Sequence, residues 1–425
     1  MLAPLRRRDF RLLWAGMSVS LLGDGIFMVA VAWQVYNISR SPADLAYVGL
    51  ATSGPQVAFL FLGGTTSDRI SRRSVLLLAD LVRAAALACL ALISAGGRTG
   101  LYELCATGAV VGTATAFASP AFDALVPQLV SREELIGANA IDQFVRPSAL
   151  QLAGPAIGGV AVAVLRPSGC FALDATSFAF SGACTALIAR LPVTKAPSTF
   201  RQDLYEGLRY VRSHSWLWAT FISATLTYLL FIGPTQVLLP YIVRYVLHQS
   251  ASMYGVVVAS GGLGALCGAL LASQRRSQRR GMTWVYTCWA LATLAVAGYG
   301  LASNATGLAA AAVVVNGAEA AGAVVWSTLK QRRVPNEMLG RVSSIDWGIS
   351  TASLPLSYAL TAPMARLLGA RHTLLAAGIL GAVVTIAFLY VPGVRREPKP
   401  GTSPAVRLGA ATLEAVSSPP TRGGR

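Results

Sequence analysis

The sequence predicts an all-α membrane protein, with twelve transmembrane helices in two pseudo-symmetric halves of six. Three observations predict it: a composition short of charge, a series of apolar runs of spanning length, and arginine-rich loops that alternate along the chain. Of the 425 residues, 54% are hydrophobic and only 12% are charged. A soluble domain carries about 25% charged residues, so this chain lacks the side chains to cover a water-facing surface. At about 20 apolar residues per crossing, roughly twelve crossings use about 240 residues and leave short loops.

The first run, about Phe10 to Tyr36, follows Arg6, Arg7 and Arg8. It is too long for the apolar region of a signal peptide and reads as an uncleaved first span. Runs two to six cover Leu45 to Gly64, Val75 to Ser94, Leu101 to Val126, Ile141 to Leu165 and Gly169 to Leu191. A polar segment, Pro192 to Trp216, then divides the chain. Leu204, Leu208 and Val211 recur there at helical spacing among Arg201, Glu206, Arg209 and Arg212, the pattern of an amphipathic helix at the membrane surface. Runs seven to twelve cover Leu217 to Tyr241, Met253 to Ala272, Met282 to Leu301, Leu308 to Leu329, Ile345 to Leu368 and Thr373 to Val391. The domain reading is therefore a half over 1–191, a linker over 192–216, a half over 217–392 and a disordered tail over 393–425, rich in Pro, Gly, Ser and Arg.

Charge sets the orientation. With the N-terminus in the cytoplasm, the loops on that side hold Arg69, Arg72, Arg73, Arg132, Arg190, Lys195, Arg275, Arg276, Lys330 and Arg341. The other side keeps Arg40, Arg98, Arg166, Arg244, Arg366 and Arg371. The asymmetry puts both termini in the cytoplasm of a bacterial inner membrane. The net charge of +17 is thus spread over alternate loops with no basic face, which argues against nucleic acid as a partner. Glu134-Leu135-Ile136-Gly137 after the fourth run and Glu337-Met338-Leu339-Gly340 after the tenth echo one another, each followed by an Ile-Asp pair ending in Asp142 or Asp346. Equivalent loops in duplicated halves behave so.

The six cysteines form no CxxC pair and there are three histidines, so no metal site and no disulfide framework is indicated. There is no phosphate-binding GxxxxGK[ST] loop, no HExxH and no GxSxG, so an enzyme is not indicated and no cofactor is implied.

Gly64-Thr65-Thr66-Ser67-Asp68-Arg69-Ile70-Ser71-Arg72-Arg73 resembles the GxxxDRxGRR signature of the major facilitator superfamily, with Ser71 where the family has glycine. The resemblance implies a cytoplasmic gate in which Gly64, Asp68, Arg69, Arg72 and Arg73 take part. A second set is similar to the branch of enterobactin exporters and macrolide-efflux proteins: Phe117 to Pro127, Glu134 to Asn139, Gly154-Pro155-Ala156-Ile157-Gly158-Gly159, Asp174 to Phe178 and Val334 to Val342. It implies proton-driven export of amphipathic small molecules such as an antibiotic, a siderophore or another secondary metabolite, by a monomer in the lipid bilayer. Gly154, Pro155, Gly158 and Gly159 also match the second half of the fifth-helix motif of drug–proton antiporters, although Leu150 replaces its upstream glycine. As small residues they equally serve helix packing.

An acid at a helix centre costs about 2.5–3.5 kcal/mol on insertion scales, so each one asks for a reason. Asp24, between Gly23 and Gly25 in the first run, is the leading proton-coupling candidate and Glu319 the second, for protons or a cationic substrate. Asp80 with Arg83 and Asp142 with Arg146 have the spacing of intramembrane ion pairs. Asp174 stands near the end of the sixth run, where a cap or gate contact is expected. Trp33, Tyr36, Phe59, Tyr228, Phe231 and Trp326 are candidates to line a cavity. Two other readings remain: import or uniport on the same fold, and a membrane sensor or scaffold that transports nothing.

Overall fold

The computed structural model describes residues 3–67, 70–131, 134–189, 200–274 and 280–395. Every regular element among them is helical. They are α1 (Arg8–Ile38), α2 (Pro42–Ser67), α3 (Arg72–Ala95), α4 (Leu101–Leu129), α5 (Leu135–Pro147) and α6 (Gly154–Ala186). There follow α7 (Phe200–Ser213), α8 (Ser215–Tyr241), α9 (Ala251–Ser273), α10 (Gly281–Leu301), α11 (Ala305–Arg333), α12 (Asn336–Leu368) and α13 (Ala370–Leu389). A short 3₁₀ turn, Ala3–Arg6, precedes α1, and single π-helical turns stand at Ser148–Ala153 and Ile242–Val246.

Nine helices among the described residues are long and apolar enough to cross a membrane, which makes this a multi-pass membrane protein. One of the nine is the 50-residue rod Gly137–Ala186. The sequence expects two spans there. The rod breaks at Arg166, whose φ of 60° and ψ of 169° are not helical, beside Pro167. Proline disfavours the helical region for the residue before it, and the chain turns at that point. The nine do not include α2 or α12. α12 starts at Asn336, nine residues earlier than the apolar pattern suggests, because its first turns carry Glu337, Arg341 and Asp346.

Helices α1 to α6 pack chiefly on one another, α1 on α6, α2 on α4 and α3 on both α4 and α6. Helices α8 to α13 do the same, α9 on α11, α10 on α11 and α13, and α8 on α12 and α13. The sets meet chiefly through α6 with α9 and α2 with α12. Without water between helices, association rests on close packing, and small residues permit it. The Cα atoms of Gly25 in α1 and Gly154 in α6 lie so close that a side chain on either would meet the other's backbone. Gly159 in α6 meets Gly255 and Ser252 in α9 the same way, and Ser252 Oγ donates to the Gly159 carbonyl at 3.1 Å. Gly154, Pro155, Gly158 and Gly159 thus form a seam with α1 on one side and α9 on the other.

Helix α7 lies along α12: Gly207 abuts Ile345 and Arg341, and Glu206 pairs with Arg341 at 2.7 Å. Its Val211 is buried, while Leu204, Tyr205 and Leu208 are exposed. The rest of the linker, 190–199, and the tail beyond 395 lie outside the described residues.

Replacing Gly255 by leucine removes the room for the α6–α9 contact. Thermal unfolding in detergent, followed by light scattering or fluorescence, is expected to shift down by several degrees relative to Gly255→Ala. An unchanged midpoint would show that the seam does not carry stability.

Candidate functional site

Between the two sets of helices lies a cavity of about 760 Å³. Its walls come from α1, α2, the π turn before α6, α8, α9, α10, α11 and α12. Phe27, Tyr228, Phe231, Tyr254, Tyr299, Trp347 and Tyr358 give it aromatic faces. Gln56, Gln151, Gln236 and Asn316 give it amides, and Glu319 is the charged group among the described residues that line it. Apolar walls with a few convergent polar groups are the usual make-up of a small-molecule site.

Next in sequence to Ala32 and Gln236 of the lining, side chains reach across the two sets and form a seal between them. The Tyr36 hydroxyl donates to the Val237 carbonyl at 2.7 Å, and the Tyr245 hydroxyl to the Tyr36 carbonyl at 2.6 Å. Arg244 donates to the Trp33 carbonyl at 3.1 Å and lies over the Trp33 ring at 4.8 Å. Tyr36, Tyr241 and Tyr245 pack with ring centroids 5.3–5.8 Å apart. The π turn Ile242–Val246 carries Arg244 and Tyr245 to this position, a use such turns often have at functional sites. Trp33 and Tyr36 therefore belong to the seal, although the sequence offers them as cavity aromatics. Sequence reasoning missed Arg244, reading it only as an outer-loop charge; the signal was Tyr241-x-x-Arg244-Tyr245 beside the end of a span.

Outside the cavity lining, α1, α3 and α6 bring together four charged residues that the sequence presents separately. Arg83 pairs with Asp80 at 3.1 Å, and Ser181 Oγ donates to the other Asp80 oxygen at 2.8 Å. Arg83 also stacks over Phe178 at 4.5 Å. Asp174 is 1% exposed: Oδ1 accepts from Ser177 Oγ at 3.1 Å, while Oδ2 has no hydrogen-bond partner. A Cβ on Gly23 would collide with Asp174 and Ser177, so the glycine before Asp24 lets α6 press its carboxyl against α1. Asp24, partly buried, lies within electrostatic reach of Asp80, Arg83, Arg146 and Asp174. Asp174 is therefore a buried member of a charge cluster and not a cap at a helix end.

Asp142 and Arg146 pair at 3.1 Å on α5. Trp326 is buried against Trp216, Phe221 and Trp289, outside the cavity wall, and its indole donates to Asp346 Oδ2 at 3.0 Å. Lys330 neutralises that carboxylate at 2.8 Å. Phe59 stacks on Phe117, away from the cavity.

Asp68 and Arg69 of the gate motif lie outside the described residues. Arg72 donates to the Ala124 carbonyl of α4 at 3.0 Å, and Arg73 donates to the Thr185 and Ala186 carbonyls at the end of α6. Cations at a helix C-terminus complement its dipole. Ser71, the departure from the motif, caps α3 by accepting from the Ser74 amide at 3.2 Å. The close approach expected of Gly64 occurs one residue earlier, since a Cβ on Gly63 would meet the Ala116 carbonyl and one on Gly64 meets open space. Nearby, Glu134 accepts from the Ser131 amide at 3.0 Å and from Arg7 at 2.6 Å. The amide, together with Arg7, holds the Glu134 carboxyl below the usual range.

Residues 1–406 match the family described as transmembrane secretion effector. Macrolide efflux protein A of Streptococcus pyogenes is 23% identical over 401 residues, covering 91% of this chain and 96% of the relative. Multidrug efflux pump Tap of Mycobacterium tuberculosis is 25% identical over 401 residues, covering 91% and 94%. A bacterial homologue of the iron transporter ferroportin, solved in an inward-facing state, superposes with a TM-score of 0.69 at 16% identity, covering 91% of this chain and 99% of that one. At that identity the likeness concerns the fold.

Two outcomes check the geometry. Removing one partner of a buried pair costs about 3–5 kcal/mol, so Arg83→Met should lose stability of that order, and Asp80→Asn with Arg83→Met should regain most of it in denaturant unfolding. A hydrogen bond from a charged donor is worth about 1.5–3 kcal/mol, so Arg244→Ala should loosen the seal. Labelling of Thr235→Cys in a cysteine-free background by a membrane-impermeant maleimide, applied from the Arg244 side, should then rise about tenfold.

Proposed function

Because the chain belongs to the transmembrane secretion effector family of the major facilitator superfamily, a family of transporters and not enzymes, we propose that it exports amphipathic small molecules in exchange for protons. The single observation that carries the reading is the cavity between two helix sets, with a seal between the sets and the Asp24–Asp174–Asp80–Arg83 cluster outside its lining. An aromatic, amide-lined space of about 760 Å³ suits a bulky amphiphile such as an antibiotic, a siderophore or another secondary metabolite. The names of the relatives, a macrolide exporter and a multidrug pump, support the direction.

In this reading the chain crosses a bacterial inner membrane twelve times as a monomer, with both termini cytoplasmic. The count takes the rod broken at Arg166 as two crossings and adds α2 and α12. Helices α1 to α6 form one half and α8 to α13 the other, and they rock about the glycine seam, so that the cavity faces each side in turn. The seal at Tyr36 and Arg244 is the closed outer gate, and the state is inward-facing. Arg72 and Arg73, with Asp68 and Arg69, latch the inner side when it closes. Protons enter through Asp24, with Glu319 inside the cavity as the second carboxyl. Loading Asp24 with a proton removes one negative charge from a cluster whose three carboxyls share the guanidinium of Arg83, which gives the proton a means to change how α1 packs on α3 and α6.

Everted membrane vesicles carrying the protein should release protons on addition of a transported macrolide or dye, and Asp24→Asn should abolish the release while leaving the protein in the membrane. Persistent, pH-sensitive efflux in Asp24→Asn would remove Asp24 from the coupling step.

A further inference from the structure

Among the described residues that line the cavity, the one charged group is a carboxylate, and no basic side chain lines it beside that group. Glu319 stands midway along α11, with alanines on both sides in sequence, and its side chain lines the cavity. No hydrogen bond or ion pair holds it among the described residues, whereas Asp346 nearby is satisfied by Lys330 and Trp326. Asp80, Asp142, Glu134 and Glu206 each have an arginine. Unlike these, Glu319 lines the cavity with no basic partner among the described residues. No lysine, arginine or histidine is among the described residues that line the cavity.

What surrounds Glu319 is matched to a cation. Tyr228 in α8 lies within its electrostatic reach, and Phe231 packs on Tyr228 with ring centroids 6.0 Å apart. Trp347 and Tyr358 of α12 and Tyr254 of α9 complete aromatic walls. The faces of these rings carry partial negative charge and attract ammonium or phosphonium groups, most strongly where water is excluded. The amides of Gln56, Gln151, Gln236 and Asn316 are neutral and can serve the polar remainder of a ligand. An anion in the same place would meet the Glu319 carboxylate with no basic residue to offset it, a juxtaposition that costs affinity.

We propose that this cavity is selective for organic cations, with Glu319 as the group that takes the cationic centre and the aromatic walls, Tyr228 above all, as its flanks. The proposal rests on the export reading for its physiological meaning, and it narrows that reading: amines and other lipophilic cations are cargo, and anionic siderophores are not. Asp24 and Asp174 do not line this cavity, so cargo charge is read by α11 and not by the α1–α3–α6 cluster.

Tetraphenylphosphonium and tetraphenylborate share size and shape and differ in the sign of a permanent charge. Equilibrium dialysis of the full-length protein in maltoside micelles, corrected for empty micelles, gives both affinities. Wild type is expected to bind the phosphonium at least tenfold tighter than the borate. Glu319→Gln should collapse that ratio to within about threefold, and Glu319→Asp should preserve most of it. Gel-filtration behaviour like wild type certifies the folding of each variant, and Tyr228→Leu, with the carboxylate retained, should weaken the phosphonium and leave the borate unmoved. Equal affinities in wild type, no binding of the phosphonium, or a ratio that survives Glu319→Gln would each overturn the proposal. Charge-selective binding without flux in the vesicle assay would support the site and count against export. Flux without charge selectivity would overturn the site alone.

Discussion

Backbone held against backbone at α1, α6 and α9 is the constraint from which the rest of this structure follows. Lipid tails are as apolar as leucine, so helices gain little by hiding from them and must gain by fitting one another. At Gly25 with Gly154, and at Gly159 with Gly255, the fit leaves no space for a side chain. A contact of that kind tolerates rotation about its own line far better than separation. In the proposed cycle it is the part that stays fixed, while the ends beyond the seam open and close.

The polar groups obey the same economy. The backbone groups of a spanning segment must be satisfied internally, and the helices do this themselves. Side chains of other helices add to this at particular carbonyls. At the end of α6, the Thr185 and Ala186 carbonyls receive Arg73. In the seal, the Trp33, Tyr36 and Val237 carbonyls receive Arg244, Tyr245 and Tyr36. These bonds cross between helices, so a rearrangement of helices trades them as a set.

Much of the fold was legible in the sequence because apolar length and loop charge are local properties. The runs around Val75, Leu101, Met253 and Met282 appear within a few residues of α3, α4, α9 and α10. Start points were less legible where a helix leaves the membrane with its charges on, as at Asn336. Of the candidate site, spacing could place Asp80 and Arg83 on one face, and they are in contact. It could not show that Asp24 and Asp174, 150 positions apart, are brought to the same pair, since helices apolar on every side carry no stripe to say who faces whom. The aromatics could not be sorted for the same reason: Tyr228 and Phe231 line the cavity, and Trp33, Tyr36, Phe59 and Trp326 do not. Trp326 and Phe231 look alike in sequence, yet one is buried against Trp216 and Trp289 and the other lines the cavity. Ser71 shows a converse error, in which a departure from a motif becomes a different, equally sound solution: a serine cap in place of a glycine turn.

The placement of the charges relative to the seam gives the proposed cycle its logic. The Asp24 cluster lies among α1, α3 and α6, on one side of the α6–α9 contact, and Glu319 lies on α11, on the other. A proton arriving at Asp24 and a cation arriving at Glu319 therefore act on different bodies. Neither needs to touch the other to compete; each has only to favour a different arrangement of the same two halves. Coupling of this type needs differential affinity between two states and no wire of residues between sites. The same proposal lets a cavity be lined with adaptable rings and amides without losing coupling: the cargo's shape would be read in the cavity and the proton by a compact cluster packed between helices, where an arginine, two serines and a glycine fix the geometry. Breadth of cargo and strictness of coupling are compatible because they are assigned to different sides of the seam.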